Sequence, residues 1–369
     1  MMMNLRPALF GLLTLLATAT THGAEFNWKY ATVVPPNFPV FGTGANRLAK
    51  AIETMSQGRI SVKVYGAGEL VNAFEVFDAV SRGTVEMGQG APYFWKGKIP
   101  AAQLLATTPF GMTAEESNAW FLYGGGMELW REAYAPFGIY PVLGGNTGPQ
   151  MGGWFNKEIN SLADLQGLKI RVPGLGGEVY SRAGATTVNL PGSEIFPALQ
   201  AGTIDATDWI APYNDLAFGL NKAARYYYWP GWHEPGGTIE VLFNQEALDG
   251  LPDDLREIVV RAAEASGHEV LADFTANNHR ALQVLLADDK VELKQFPPQV
   301  IEKFRELTSE VIQELIDSDP LAARIHQSQT EFFDQVTAWQ RISTQKLMDA
   351  RMPANDQPAE AKSEPIDNK

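Results

Sequence analysis

Between Phe26 and Val80, and again between Gly167 and Ile210, short apolar runs alternate with stretches of helical period. This alternation constrains the fold more than any other feature of the chain. Phe26–Val33 reads as a strand, and Asn46–Met55 carries helical spacing through Leu48, Ile52 and Met55. Arg59–Tyr65 alternates, with Ile60, Val62 and Val64 on one face, and Val71–Val80 suits a helix. The second run gives a strand over Gly167–Val172, a helix over Gly176–Ala183 and a strand over Thr186–Leu190. A short helix over Ser193–Gln200, interrupted by Pro197, and a strand over Thr203–Ile210 complete it. Such alternation predicts mostly parallel sheets with covering helices, and two separate runs predict two lobes. A length of 369 residues agrees with two domains.

The tail of the chain reads as helical. From Pro252 the apolar positions Leu255, Ile258, Val259, Ala262, Ala263, Val270, Phe274, Ala281 and Leu285 keep helical period. A helix of this length spans roughly 45 Å, enough to run across both lobes. Pro252 sits where a first-turn proline belongs, and Asp253 and Asp254 favour the positive end of the helix dipole. Pro297–Leu315 and Pro320 to about Leu347 are two further amphipathic helices. The last carries Leu321, Ile325, Phe332, Val336 and Leu347; its apolar face packs on its own lobe or serves a homodimer. The expected division is residues 25–150 with about 238–280 for lobe I, and 151–237 with about 290–350 for lobe II.

The first 24 residues read differently. Arg6 precedes the apolar run Ala8–Ala17, and small residues follow up to Ala24. That is the pattern of a secretory signal peptide, too short to span a bilayer. No other segment is apolar for long enough, and cysteine is absent, which excludes a disulfide framework and a lipid-anchored cysteine. A soluble exported protein is expected, periplasmic in a bacterium with two membranes. The composition of the segment 352–369 predicts disorder. A net charge of −14 disfavours nucleic acid and anionic membrane surfaces as partners. An anionic ligand therefore needs a locally positive pocket.

Several chemistries are excluded by their missing residues. The five histidines are scattered and form no HExxH pair; there is no G-x-S-x-G elbow and no P-loop. Gly174-Leu-Gly176-Gly177 follows a strand, but Val179 stands where a dinucleotide fingerprint needs its third glycine. What that stretch does offer is Arg171. It lies near the carboxyl end of a strand, where ligands of open α/β sheets bind, and Pro173 stops the strand beyond it. A guanidinium held there is a natural fork for a carboxylate; a solvated surface arginine is the alternative. Asp208 lies similarly near a strand end, beside Trp209 and before Pro212, where it invites a bridging cation or caps a turn. Asn146 and Gln150 bring neutral amides to a glycine-rich crossover between the two α/β runs. Gly90–Trp95 and Tyr226–Pro235 add aromatics beside glycine and proline, which suit a concave site or plain core packing.

Taken together, Val62–Leu70, Thr108-Pro-Phe-Gly111, Asp164–Arg171, Gly202-Thr-Ile-Asp-Ala206 and Asn244 resemble the extracytoplasmic solute-binding proteins of TRAP transporters, the DctP type. The likeness covers about Phe26–Leu347. Asn146–Phe155, Arg171–Glu178 and Tyr228–Pro235 look like the branch that binds 2-oxo- and 2-hydroxy-monocarboxylates, such as pyruvate or lactate, with a metal ion. The resemblance implies a two-lobed, periplasmic-binding-protein-like α/β clamp that hands its ligand to a membrane permease and catalyses nothing. It implies that Arg171 clamps the carboxylate with help from Asn146. Gln150, Asp208 and the carbonyl of Trp209 would hold Na⁺ or Ca²⁺, between which the sequence does not choose. Many relatives carry Glu where Asp208 stands here, which puts the metal's seat in doubt. Glu240 is a further expected ligand, and Tyr93, Phe94 and Tyr213 are expected in the cleft wall. A sensor built on the same clamp, a dicarboxylate or sugar-acid binder, and an exported metal-dependent enzyme acting on a keto acid are the rival readings. No second strand-end arginine and no general base stand out for the last two, since only His233 lies near these stretches.

Overall fold

A computed structural model describes residues 23–351, so residues 1–22 of the expected leader and the tail 352–369 lie outside it. Two sheets form the two lobes. Lobe I is built on β1 (Phe26–Ala31), β2 (Ile60–Tyr65), β3 (Met87–Gly90), β4 (Ile139–Asn146) and β10 (Thr238–Asn244). Lobe II is built on β5 (Gly153–Phe155), β6 (Lys169–Arg171), β7 (Thr186–Val188), β8 (Ala206–Thr207), β9 (Tyr226–Trp229) and β11 (Glu292–Gln295). The strand orders are β2-β1-β3-β10-β4 and β11-β9-β5-β8-β6-β7. The β1–β2, β1–β3, β6–β7 and β6–β8 pairs are parallel, as the alternation predicts.

The antiparallel pairs come from strands that leave one lobe for the other. β10 runs antiparallel to β3 and β4, and β5 runs antiparallel to β8 and β9. The chain crosses between lobes at 147–152, from β4 to β5, and returns at 230–237, from β9 to β10. Because β4 pairs with β10 and β5 with β9, the two crossovers lie side by side. They are stitched together by Thr147 N–H to the Gly237 carbonyl at 2.9 Å and Gln150 N–H to the Glu234 carbonyl at 3.1 Å.

The long helix runs from Asp253 to Leu286, 34 residues and therefore about 50 Å. It packs on β4 and the helix Phe41–Met55 in lobe I, and on the helix Pro212–Phe218 in lobe II. Its Leu255, Val259, Phe274 and Leu285 are buried, as the spacing requires. Trp154 stacks on Tyr227 at 4.1 Å in the core of lobe II, and Tyr228 is buried beside Phe296. Each such side chain contributes about 2–3 kcal/mol by leaving water. These tyrosines are core residues rather than cleft lining.

Several elements depart from the expectations. The strand over 203–210 shortens to Ala206–Thr207. The helix expected over 71–80 is a 3₁₀ turn, Ala73–Glu75, closed by an Asn72–Glu75 capping box, followed by the helix Val76–Ser81. The last helix breaks at Ser343 into Pro320–Ile342 and Thr344–Arg351. The assignment of 290–350 to lobe II needs correction. Pro298–Ser318 packs on the lobe II helix Gly174–Arg182, whereas Pro320–Ile342 packs on lobe I helices. Gln329 Nε2 donates to the Leu104 carbonyl at 2.8 Å and Trp120 Nε1 donates to Ser328 Oγ at 3.1 Å, with Ala322 and Ile325 fully buried. A polar–apolar pattern shows that a helix needs a partner surface, not which one.

Candidate functional site

Arg171 and Asp208 end neighbouring strands. β6 and β8 pair with Arg171 opposite Thr207, and Asp208 N–H donates to the Arg171 carbonyl at 2.8 Å. Lys169 is exposed on the same strand face, but Arg171 is 1% exposed because the strand end reaches under the crossovers. Its Nε donates to the Leu190 carbonyl at 3.1 Å and its Nη1 to the Asp208 carbonyl at 3.1 Å. The Nη1 and Nη2 edge is what this leaves for a ligand carboxylate. The guanidinium also sits 5.4 Å from the Trp209 ring centre. Burial lowers the Arg171 pKa, and the charge of Asp208 works against that.

The Asp208 carboxylate is 1% exposed, and neither of its oxygens accepts a hydrogen bond. Arg171 Nη1 lies 3.7 Å from Oδ2. His233 Nε2 lies 3.0 Å from Oδ1 but without the alignment of a hydrogen bond, so proximity alone does not satisfy either group. Asp208, His233 and Glu234 offer ligand atoms within 4.8 Å of one another, all buried. Gln150 arrives from the other crossover: its Nε2 donates to Glu234 Oε2 at 2.7 Å and to Thr147 Oγ1 at 3.2 Å, while its Oε1 has no partner. Asn146 Oδ1 accepts from Gly148 N–H at 2.9 Å, and its Nδ2 is free. A buried carboxylate without a donor costs several kcal/mol, so a cation is the group this set fits. Carboxylate, amide and main-chain oxygens make it a hard cation.

Burial, then the charge of Asp208, pushes the Glu234 carboxyl well above the usual carboxylate range, with Arg171 opposing. Burial likewise raises the Tyr93 hydroxyl, with Glu234 as the second cause.

A cavity between the lobes reaches part of this set. Gln150, Arg171, Trp209, Ile210 and Glu234 line one side, and Val33, Phe41, Ala91, Tyr93, Phe94 and Ile239 the other. The glycine loop has its explanation here. Gly174 has φ +59°, and a Cβ on it would lie 3.2 Å from the Tyr93 side chain of lobe I. Its role is close approach between lobes, not phosphate binding.

Tyr93, Phe94, Gln150, Arg171 and Trp209 therefore line the cleft, Asp208 lies buried against Arg171, and Asn146 is buried at the end of β4 without lining the cavity. Two expectations need correction. Glu240 sits on β10 but points into lobe I, where it accepts from Trp95 Nε1 and, at 2.9 Å, from the Tyr134 hydroxyl. Its carboxylate is committed there, away from Asp208. Tyr213 opens the helix Pro212–Phe218 against the long helix, with its N–H on Asn278 Oδ1 at 3.1 Å, and does not line the cavity. Sequence reasoning missed Glu234 and left His233 unassigned, although both lie in the Tyr228–Pro235 stretch that carried the resemblance. Their signal was an acid and an imidazole in an aromatic, proline-flanked turn.

The family model of the DctP bacterial extracellular solute-binding proteins, family 7, matches residues 30–319. The chain belongs to that family. A monocarboxylate 2-oxoacid-binding periplasmic protein of a Nostoc species is 40% identical over 316 residues, 86% of each chain. A TRAP periplasmic solute-binding protein from Colwellia psychrerythraea, solved with bound calcium and pyruvate, superposes with a TM-score of 0.86. It is 40% identical and the match covers 88% of this chain and 99% of that one. Another from Pseudoalteromonas atlantica, solved with bound sodium and pyruvate, has the same identity and TM-score and covers 89% and 99%. Among the described residues, no helix is long and apolar enough to cross a membrane.

Proposed function

We propose that this chain captures a small 2-oxo or 2-hydroxy monocarboxylate, pyruvate- or lactate-like, together with Na⁺ or Ca²⁺ in the periplasm, and delivers it to a TRAP membrane permease. The observation that carries the reading is the buried, donor-free Asp208 carboxylate 3.7 Å from the Arg171 guanidinium, with Glu234 and Gln150 Oε1 beside it. The charges support it. Arg171 faces the Asp208 carboxylate, Glu234 is held towards its neutral form, and a ligand carboxylate adds a second negative group in a buried site. A bound cation restores the balance and supplies positive charge to the ligand's carboxylate and 2-oxygen.

Asp208, Glu234, the Gln150 Oε1 and the Trp209 carbonyl would hold the cation. Arg171, through its Nη1 and Nη2 edge, and Asn146 Nδ2 would hold the carboxylate, while Tyr93 and Phe94 exclude water. Groups from both lobes surround the cavity, so ligand favours the closed form by its differential affinity for it. Capture without turnover is the activity that fits a solute-binding family. The test is calorimetry or thermal shift with pyruvate, lactate and succinate, with and without NaCl or CaCl₂. At 100-fold excess over Kd a true ligand adds about 2.7 kcal/mol of stability. Cation-dependent binding of pyruvate or lactate is expected; preference for succinate, or consumption of pyruvate, defeats the reading.

We infer further that the end of the chain serves a homodimer. Trp339 and Ile342 are 62% and 72% exposed, and Leu347 and Met348 follow on the next helix. Light scattering on the purified protein, with Trp339→Glu as the variant, checks this: a dimer reduced to monomer is the expected result.

A further inference from the structure

Lobe I reaches into lobe II through the loop 32–40, between β1 and the helix Phe41–Met55. Phe38 is buried, with its ring centre 4.3 Å from that of Phe218 and 6.2 Å, edge-on, from that of Trp209. Trp209 and Phe218 lie 4.9 Å apart, so one lobe I ring completes a three-ring cluster with two lobe II rings. Beside it Asn214, wholly buried, donates from Nδ2 to the Pro39 carbonyl at 3.1 Å. Asn214 belongs to lobe II: its neighbour Asp215 accepts from Trp154 Nε1 at 3.0 Å and from the Tyr227 hydroxyl at 2.7 Å, both on that sheet.

The backbone that presents Pro39 is strained. Val40 has φ 66° and ψ −56°, and Phe41 N–H donates to the Pro39 carbonyl at 2.8 Å. That is a γ-turn of the rare, positive-φ kind, on a β-branched residue that strongly disfavours it. Asn37, three residues earlier, also has φ 58°. Strain of this kind persists only where surrounding contacts over-determine it, and it concentrates at clamps and switches. Lobe I holds this segment through Thr43 N–H to the Phe38 carbonyl at 3.1 Å and Asn46 Nδ2 to Asn37 Oδ1 at 3.0 Å, and the other lobe adds Asn214 and the two rings.

We propose that Phe38 and the Pro39 carbonyl are one half of a latch, and Asn214 and the Trp209–Phe218 pair the other, which fastens the lobes over a bound ligand. Trp209 gives the coupling. Its carbonyl is a candidate ligand of the cation and its ring meets Phe38, so filling the site fixes the surface that Phe38 docks on. Phe38 and Asn214 are positioning residues: neither lines the cavity. The inference rests on the ligand reading above.

The experiment uses the whole protein with pyruvate and CaCl₂, comparing wild type with Phe38→Ala and Asn214→Asp. The aspartate keeps the asparagine's shape but sets an acceptor against the Pro39 carbonyl. Three quantities are read: the pyruvate off-rate by stopped flow, the radius of gyration by small-angle scattering with and without ligand, and the ligand-free melting temperature. A lower closed-state population weakens apparent affinity in proportion, so both variants should release pyruvate at least about tenfold faster. They should also contract less on ligand addition while melting, ligand-free, as the wild type does. Off-rates within twofold of wild type with full contraction would overturn the latch. So would a ligand-free melting point depressed as far as the bound one, since the contacts would then hold the fold and not the closed state. Wild-type affinity for pyruvate tests the ligand assignment by itself; the ratio of variant to wild type tests the latch.

Discussion

Arg171 meets Asp208 three times: its carbonyl accepts the Asp208 N–H at 2.8 Å, its Nη1 donates to the Asp208 carbonyl at 3.1 Å, and the same Nη1 stands 3.7 Å from Oδ2. The guanidinium is thus fixed by main-chain oxygens, while the carboxylate beside it is left for something else. A guanidinium and an unsatisfied carboxylate are held in one rigid unit by two paired strand ends.

Replacing Arg171 by Met removes the only cation among these groups while leaving Asp208 and Glu234 buried together. Truncating one partner of a buried charge pair costs roughly 2–5 kcal/mol, so monocarboxylate affinity should fall at least about 100-fold. Titration calorimetry with pyruvate and CaCl₂ reads it, and a Kd unchanged in the variant sinks the assignment.

Asp208→Asn should abolish the cation dependence rather than merely weaken binding. Wild-type protein stripped by a chelator and dialysed free of Na⁺ is expected to lose its thermal shift with pyruvate and regain it on adding one of the two ions. The asparagine variant should respond equally poorly with and without added ion.

Gly237 offers a more selective perturbation. A Cβ there would lie 2.7 Å from Glu234 Oε2, 2.8 Å from Gln150 Nε2 and 3.0 Å from Thr147 Oγ1. These are too close for real contacts, and the nearest atoms are the ends of side chains that can move. Gly237→Ala is expected to keep the fold, with circular dichroism unchanged, while lowering Ca²⁺ affinity about tenfold or more by displacing those groups. Equal Ca²⁺ affinity in both proteins would show that Glu234 and Gln150 do not hold the ion.

Glu240 predicts a pH dependence of stability. Burial raises its carboxyl to about 8 in the folded protein, against hydrogen bonds from Trp95 and Tyr134 that lower it. Between about 4.5 and 8 the folded protein keeps this proton and the unfolded chain does not, so stability falls as pH rises through that window. Asp215, raised by burial to about 7, acts in the same direction. Glu240→Gln, neutral at every pH, should flatten the decline by up to ~4 kcal/mol between pH 5 and pH 8. Urea melts of both proteins at the two pH values check it; parallel pH profiles would count against the shift.

Arg171, Gln150 and Asp208 were readable in the sequence because each stands at a place that local pattern defines: two strand ends and a glycine-rich crossover. Glu234 was not, since an acid in an aromatic turn has no periodic signature. It enters the cluster only because Gln150 N–H bonds its carbonyl across the paired crossovers. Glu240 was misread for the converse reason. It lies on β10, but a β-bulge between Ile239 and Glu240 shifts the register, and the carboxylate is committed to Trp95 and Tyr134 inside lobe I.

By itself the sequence determined what depends on neighbours a few residues away: the α/β alternation, the long helix from Asp253 to Leu286, and the strand-end guanidinium. Tertiary structure alone decided that β4 lies beside β10 and β5 beside β9, that Pro320–Ile342 returns to lobe I, and that Glu234 faces Asp208. Hydrophobic period and strand ends are written along the chain, whereas pairings between residues far apart in sequence are chosen only when whole surfaces compete for burial.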